Sequence, residues 1–228
     1  MHFLPTTKEE MKEIGWGALD VILITGDAYV DHPSFGAGLI GRLLEHRGFK
    51  VGIIAQPDWR NTADFKRLGE PNLFFGITAG NLDSMLSNYS SNKIRRRVDD
   101  YSPDAMHGKR PDRATIVYSN RIKELFKGTP IVIGGIEASL RRLSHYDFWQ
   151  DTLRRSILLD SRADILVYGM GELQIIEIAD RLKKREPIEN LNNINGTCIV
   201  KNDISYLKNY ITLPSFEETK ENKNKFCE

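Results

Sequence analysis

The chain has 228 residues, 40% of them hydrophobic and 28% charged, and a formal net charge of +1. That length accommodates one large α/β domain with a tail, or at most two small domains, and it can bury a real core. The balanced charge argues against a general polyanion binder, no apolar run approaches the ~20 residues of a membrane span, and two cysteines make no disulfide framework.

In chain order, residues 1–18 read as an N-terminal arm with a short helix at Lys8–Ile14, ended by Gly15. Val21–Ile24 is the first apolar strand. A long loop follows, Gly26-Asp27-Ala28-Tyr29-Val30-Asp31-His32-Pro33-Ser34-Phe35-Gly36. Ser34 is the expected N-cap of the next helix. In that helix Leu39/Leu43 and Ile40/Leu44 recur four apart and should face a sheet. Gly48 ends it, and Val51–Ile54 is the second strand, closing on Ala55-Gln56-Pro57-Asp58-Trp59. A short helix over Thr62–Leu68 stops at Gly69 and Pro71, and Leu73–Ile77 is the third strand.

A helix is expected within 81–90, then an irregular polar stretch from Ser91 to Arg113. Asp112 is the expected cap of a helix in which Ala114, Val117, Tyr118, Ile122 and Leu125 recur at helical spacing. Gly128 and Pro130 close it, before the fourth strand at Ile131–Ile133. A helix over Thr152–Asp160 leads to the fifth strand, Ile165–Val167. Glu172–Arg185 is a helix with a basic last turn that suits its dipole, stopped by Pro187. Thr197–Val200 suggests a short sixth strand. Residues 19–205 thus form a Rossmann-like α/β domain, and residues 206–228 a tail.

Five apolar strands alternating with helices predict a doubly wound, mostly parallel five-stranded sheet, Rossmann-like or flavodoxin-like. The apolar runs are unbroken, as strands buried on both faces require. A closed eight-stranded barrel needs more strands than these.

In such a sheet every parallel strand ends on the same side, and ligands gather there. Three loops leave strand ends with glycine and polar residues: 25–36, 134–142 and 168–172. The glycines permit close backbone approach. Candidate ligand-binding residues are therefore Gly26, Asp27, His32, Ser34, Gly36, Gly134, Gly135, Glu137, Gly169, Gly171 and Glu172. Gly36-Ala37-Gly38-Leu39-Ile40-Gly41 fits G-x-G-x-x-G, but it lies far from the strand end and the second strand carries no terminal acid, so a dinucleotide fingerprint is disfavoured. On the other reading these glycines open the helix, and Gly41 lets it lie close to the sheet. Gly169 to Glu172 reads either as a ligand loop or as a turn with a carboxylate that suits the helix dipole. Gly134, Gly135 and Glu137 carry the same two readings.

Arg95-Arg96-Arg97, Lys109-Arg110 and Arg113 are interleaved with Asp99, Asp100, Asp104 and Asp112, so a solvated or domain-facing loop is favoured over nucleic-acid binding. Arg141, Arg142, Arg154 and Arg155 should pair with local acids such as Asp147 and Asp151. Cys198 lies in a strand and reads as packing. The polar, acidic start is unlike a signal peptide, and the cysteine usage fits the cytoplasm.

Longer strings carry a resemblance. The start Phe3-Leu4-Pro5-Thr6-Thr7 with Glu9-Glu10-Met11, the loop 26–36, Gly-Lys-Arg-Pro-Asp-Arg-Ala at 108–114 and Ile-Gly-Gly-Ile-Glu-Ala-Ser-Leu-Arg-Arg at 133–142 are similar to the N-terminal domain of the YgiQ family of radical SAM proteins. More distantly, the architecture resembles the cobalamin-binding-type domain preceding many radical SAM cores. The resemblance implies a [4Fe–4S] cluster and S-adenosylmethionine, but the Cys-x-x-x-Cys-x-x-Cys motif does not occur here. Cys198 and Cys227 cannot hold such a cluster.

The resemblance thus implies an N-terminal piece, with the radical SAM core, in cis or in trans, as its partner. It also implies an unknown small-molecule substrate and cobalamin as a candidate ligand. Some cobalamin domains use an Asp-x-His-x-x-Gly motif. Here Asp31 and His32 are adjacent and Gly36 is four residues on, so the spacing favours a structural His32. The alternatives are a stand-alone flavodoxin-like nucleotide- or anion-binding module and a nucleic-acid-binding module.

Overall fold

The structure of the chain, a computed structural model, describes residues 2–227. Its centre is a six-stranded sheet in the order β2-β1-β3-β4-β7-β8. Strands β1 (Val21–Thr25), β2 (Val51–Ala55), β3 (Phe74–Thr78), β4 (Ile131–Ile133) and β7 (Ile165–Val167) run parallel. The short β8 (Thr197–Cys198) pairs antiparallel with β7 at the far edge. The five expected parallel strands are all present, and the sixth closes one edge.

Alternate strand residues feed two cores, as the two-residue period of a strand demands. Ile22, Ile24, Phe75, Ile77, Ile131 and Ile133 pack on one face. There they meet Met11 of α1 (Lys8–Glu13), Phe65 of α3 (Ala63–Lys66), Tyr118 and Ile122 of α5 (Ala114–Leu125), and Ile157 of α7 (Ile157–Ser161). Val21, Leu23, Ile53, Phe74, Val132 and Ile165 pack on the other. That face is covered by Leu44 of α2 (Gly36–His46) and Ile175 and Ile178 of α8 (Glu172–Lys183). Helices on both faces of a sheet in this order make the fold doubly wound and flavodoxin-like. Gly41 of α2 faces Leu4, Leu23 and Ile53, so the missing side chain brings the helix close to the sheet.

The N-terminal arm is built into this fold. Thr7 and Glu10 form a capping box on α1. Leu4 is buried, and the carbonyl of Pro5 accepts from the Ile53 N–H (2.9 Å) on the outer strand β2. The arm thus covers part of an edge that would otherwise be open.

Several local expectations are corrected. Residues 152–160 are not one helix: β6 (Thr152–Arg154) forms an antiparallel hairpin with β5 (His145–Asp147), and only α7 is helical. Leu153, Ile157 and Leu158 mimic helical spacing, but Asp147 accepts from the Trp149 and Gln150 N–H groups and turns the chain, and Ser156 restarts it as the cap of α7. The 134–142 segment is largely a helix, α6 (Gly135–Leu140), that starts directly after β4. Ser34 does not cap α2. Phe35 occupies that position without a side-chain cap, and the Gly36 N–H is met at 3.4 Å by Oδ1 of Asn81.

Asp112 does not cap α5 either. Its carboxylate accepts from Nδ2 of Asn88 (2.7 Å) and the hydroxyl of Tyr89 (2.8 Å), while Arg113 takes the cap position in a left-handed conformation. The first N–H groups of α5 are met from elsewhere. Ser84, the first residue of α4 (Ser84–Asn88), accepts from the Ala114 N–H (3.1 Å), and Glu137 of α6 from the Thr115 N–H (2.9 Å).

Gly26 tests how tightly the sheet end is closed. A β-carbon there would overlap the backbone carbonyl of Ala79 and come within 3.0 Å of Nε of Arg110. Gly26→Ala should therefore cost about 3 kcal/mol, at the upper end of overpacking changes. Gly17 has nothing within 4 Å of such an atom, and Gly17→Ala should stay within about 0.5 kcal/mol. Urea unfolding of the two variants against wild type measures the contrast, and equal midpoints would contradict this packing.

Candidate functional site

The loops after β1, β3, β4 and β7 meet at the carboxyl edge of the sheet around a cavity of about 310 Å³. It runs between α2 and α8, over the sheet. Its floor is apolar: Leu23, Gly76, Val132, Val167 and Ile175. Gly76 presents no side chain here, and the Leu23 side chain packs into the place a β-carbon would take, 2.6 Å from that position. The rim is backbone and polar: Asp27, Gly36, Thr78, Asn81, Gly134, Gly135, Gly169, Gly171 and Glu172. Small-molecule sites commonly combine such a floor with a few placed polar groups, and this volume sits at the low end of their usual ~300–1,000 Å³.

Of the sequence candidates, Asp27, Gly36, Gly134, Gly135, Gly169, Gly171 and Glu172 line the cavity. Gly135 has φ +81°, and a β-carbon there would run into the hydroxyl of Thr78. The start of α6 can pass this close to β3 only as glycine. Gly171 precedes α8, and Glu172 is its first residue.

Gly26, His32, Ser34 and Glu137 lie outside the lining. Nδ1 of His32 accepts from the Ser34 N–H (3.2 Å) and pairs with its hydroxyl (2.7 Å), so the neutral ring carries its proton on Nε2. The loop is held by Asp31, whose carboxylate takes Arg42 of α2 through Nε (3.0 Å) and Nη2. That pairing with Arg42 holds the Asp31 carboxyl below the usual carboxylate range.

Glu137 is buried and fully engaged. It accepts from the N–H and hydroxyl of Ser84 and from the Thr115 N–H. One carboxylate thereby meets free N–H groups at the starts of two helices, where the dipole also favours negative charge. Asp83, the cap of α4, accepts from the Met85 and Leu86 N–H groups and pairs with Arg141.

Two features were missed by the sequence reading. The first is the loop Thr78-Ala79-Gly80-Asn81, whose signal was its place directly after a parallel strand. The second is Arg110. Its guanidinium is fully buried and donates to the Gly26 carbonyl (3.0 Å), to Asp27 Oδ1 (2.7 Å) and to the Ser87 hydroxyl, with Asp99 at 3.4 Å. Asp27 also accepts from the Asn81 N–H at 2.6 Å. The basic stretch is thus only partly a free cationic surface: Arg95, Arg97 and Lys109 are exposed, but other cations in it are engaged. Arg110 is interior, Arg113 pairs with Asp147, and Arg96 donates to the carbonyls of Leu86 and Tyr89. Arg154 and Arg155 pair with Asp160, and Arg142 stacks over Tyr168 at 5.0 Å.

Among the described residues no group of three or more His, Cys, Asp or Glu is placed to hold a metal ion. Cys198 is half-buried, and burial raises its thiol. The side chain of Cys227 lies outside the described residues. No helix among them is long and apolar enough to cross a membrane.

The family model described as Radical SAM N-terminal matches residues 3–228. The chain belongs to the Radical SAM N-terminal family. This radical SAM N-terminal chain is 58% identical over 226 residues to a UPF0313 protein of Thermotoga neapolitana, a match covering 99% of the chain and 40% of the relative. A UPF0313 protein of Thermotoga maritima is 56% identical, over 99% of the chain and 40% of its own length. One of Clostridium botulinum (strain Kyoto) is 54% identical, over 100% of the chain and 35% of its own length. The chain therefore spans about two-fifths or less of these relatives. No solved structure matches.

Asp27 makes the rim sensitive to pH. Burial raises its carboxyl from 3.8 to about 6, against the opposing pull of Arg110. Between those values the folded chain binds a proton that the unfolded chain has lost, so this group's contribution to stability falls as pH rises from about 4 to about 6. The stability of wild type minus that of Asp27→Asn should fall across that window and level off above it. Urea midpoints of both proteins at half-unit pH steps read the difference. A difference that rises with pH would place the Asp27 pKa below the ordinary range.

Proposed function

We propose that this chain is the N-terminal accessory domain of a radical SAM protein and holds a small ligand at the carboxyl edge of its sheet. The catalytic core would lie in the remaining polypeptide, in cis or in trans. The observation that carries this reading is the cavity: four strand-end loops converge on an apolar floor with a rim of backbone amides and few side chains. The family membership and the greater length of the relatives support it. The strings at 26–36, 108–114 and 133–142 favour the YgiQ branch of the family, and the sparse cysteines favour a cytoplasmic protein.

The reaction itself is not assigned to residues of this chain. A [4Fe–4S] cluster with S-adenosylmethionine supplies radical chemistry when bound, but its thiolate ligands do not fit here, because Cys198 lies alone in β8. This domain's residues instead bind and orient. The first turn of α2 beyond Gly36 and the backbone around Gly135 offer hydrogen bonds, while Leu23, Val132 and Ile175 exclude water.

Cobalamin is the candidate suggested by resemblance. The cavity of about 310 Å³ lies open at the strand ends, so a side arm of cobalamin would enter it with the macrocycle resting over the rim. His32 is outside the lining, so binding would not use its imidazole. A flavin mononucleotide is the competing ligand, since the strand order is flavodoxin-like and the cavity opens beside β1 and β3.

Absorbance titration with cobalamin and with flavin mononucleotide separates these readings. Ala37→Trp and Ile136→Trp introduce bulk at lining positions, and each should weaken binding about tenfold or more, at least 1.4 kcal/mol. His32→Ala should leave it unchanged, and thermal melts check that each variant folds. Binding of flavin but not cobalamin would favour the flavodoxin-like module. Binding abolished by His32→Ala, or no binding of either probe, would overturn the ligand site proposed here.

A further inference from the structure

Helix α6 has its polarity inverted. Glu137 and Ala138 point inward and are buried, while Ile136 and Leu140, one turn apart, point outward at 46% and 61% exposure. An ordinary surface helix does the reverse. At the neighbouring start of α8, Met170 and Leu173 are 83% and 79% exposed, although Ile175 and Ile178 of the same helix are buried. The two sites adjoin. Ser139 of α6 accepts from the Gly169 N–H (3.1 Å) and donates to the Gly135 carbonyl (2.8 Å), and Ile136 and Met170 line the same cavity. Leu143 and Tyr168 extend the apolar surface, with Arg142 stacked over Tyr168. Single exposed apolar residues are common, but a contiguous group of six at a cavity mouth marks an interaction site.

We infer that this face is the docking surface for the polypeptide that the relatives carry beyond the matched part, and that docking closes the mouth of the cavity. The matched part is 40% of the Thermotoga neapolitana relative, so roughly three-fifths of that protein lies outside it. A body that size needs an apolar interface to hold its place. The groove between α5 and α7 is less suited, being lined mostly by charged residues: Lys123, Lys127, Arg154, Arg155 and Arg162 with Glu124 and Asp160, and Leu159 among them. The inference rests on the accessory-domain reading only in that a second folded unit accompanies this one.

The test joins this chain in frame to the part of the Thermotoga neapolitana relative that follows the matched region. Hydrogen exchange is then compared with that of the 228-residue chain alone. Peptides covering 135–143 and 168–175 should exchange at least about tenfold more slowly in the fusion, with those covering 116–127 and 155–162 unchanged. Leu140→Asp with Leu173→Asp should abolish that protection and lengthen the particle in small-angle scattering, while the same pair leaves the melting temperature of the 228-residue chain unaltered. Leu159→Asp should do neither. Protection at 116–127 and 155–162 instead, protection nowhere, or protection that survives the double substitution would each overturn the inference. So would a dimer of the chain alone that the double substitution dissociates, since the occupant would then be a second copy. Protection without cobalamin or flavin binding would sink the ligand proposal and leave this one standing, and ligand binding without protection would do the reverse.

Discussion

A guanidinium with no exposure to water must be surrounded by acceptors, and Arg110 is. Its partners come from three separate stretches: Gly26 and Asp27 after β1, Ser87 in α4, and Asp99 in the irregular segment that leads back to Arg110 itself. Asp27 then reaches Asn81 after β3, and Gln56 after β2 donates to both the Gly26 carbonyl and Ser102. One cation thereby fixes the loops of the first three strands against a long polar segment with little secondary structure of its own. Removing it would leave Asp27 and Asp99 buried without their counter-charge, which costs far more than the pair contributes. Burial is what makes Asp27 hold its proton to a higher pH than an ordinary aspartate, with the neighbouring Asp99 adding to it and the Arg110 guanidinium opposing it.

This network decides where the cavity is. The same carboxylate that binds Arg110 inward presents its edge to the rim, and the Asn81 side chain it positions by way of the backbone meets the start of α2. The rim is therefore rigid where it is polar, and the floor is apolar where the Leu23 side chain lies over Gly76. A site built on strand ends and buried ion pairs is preorganised for a ligand, which lowers the ordering cost of binding.

The sheet was legible because its strands are unbroken apolar runs, and that pattern survives any choice of partner. The positions of the three glycine loops followed from topology alone, since parallel strands end together. The caps were not legible. Asp112 stands where a cap should, yet Asn88 and Tyr89 take its carboxylate, and Glu137 and Ser84 reach α5 from elements distant in sequence. Residues 152–160 failed for a different reason: Leu153 and Ile157 fit a helical period, and the turn chemistry of Asp147 outweighs it. Arg110 was hidden in a run of charges, because its partners lie up to 84 residues away and no local pattern marks a buried arginine.

Helix α6 shows how one short segment can serve the interior and the exterior at once. Six residues would make a marginal helix in isolation. It is held because Glu137 is pinned by Ser84 and Thr115 and because Arg141, just past its end, reaches Asp83. With its polar anchor turned inward, its apolar residues have nowhere to go but out, beside the cavity mouth. Burying them against a second body requires no change in the anchor, and any ligand on the rim would lie between the two. The proposed ligand and partner would share one edge of the sheet, because the same strand ends build both surfaces, so occupancy of one would alter the solvent exposure of the other.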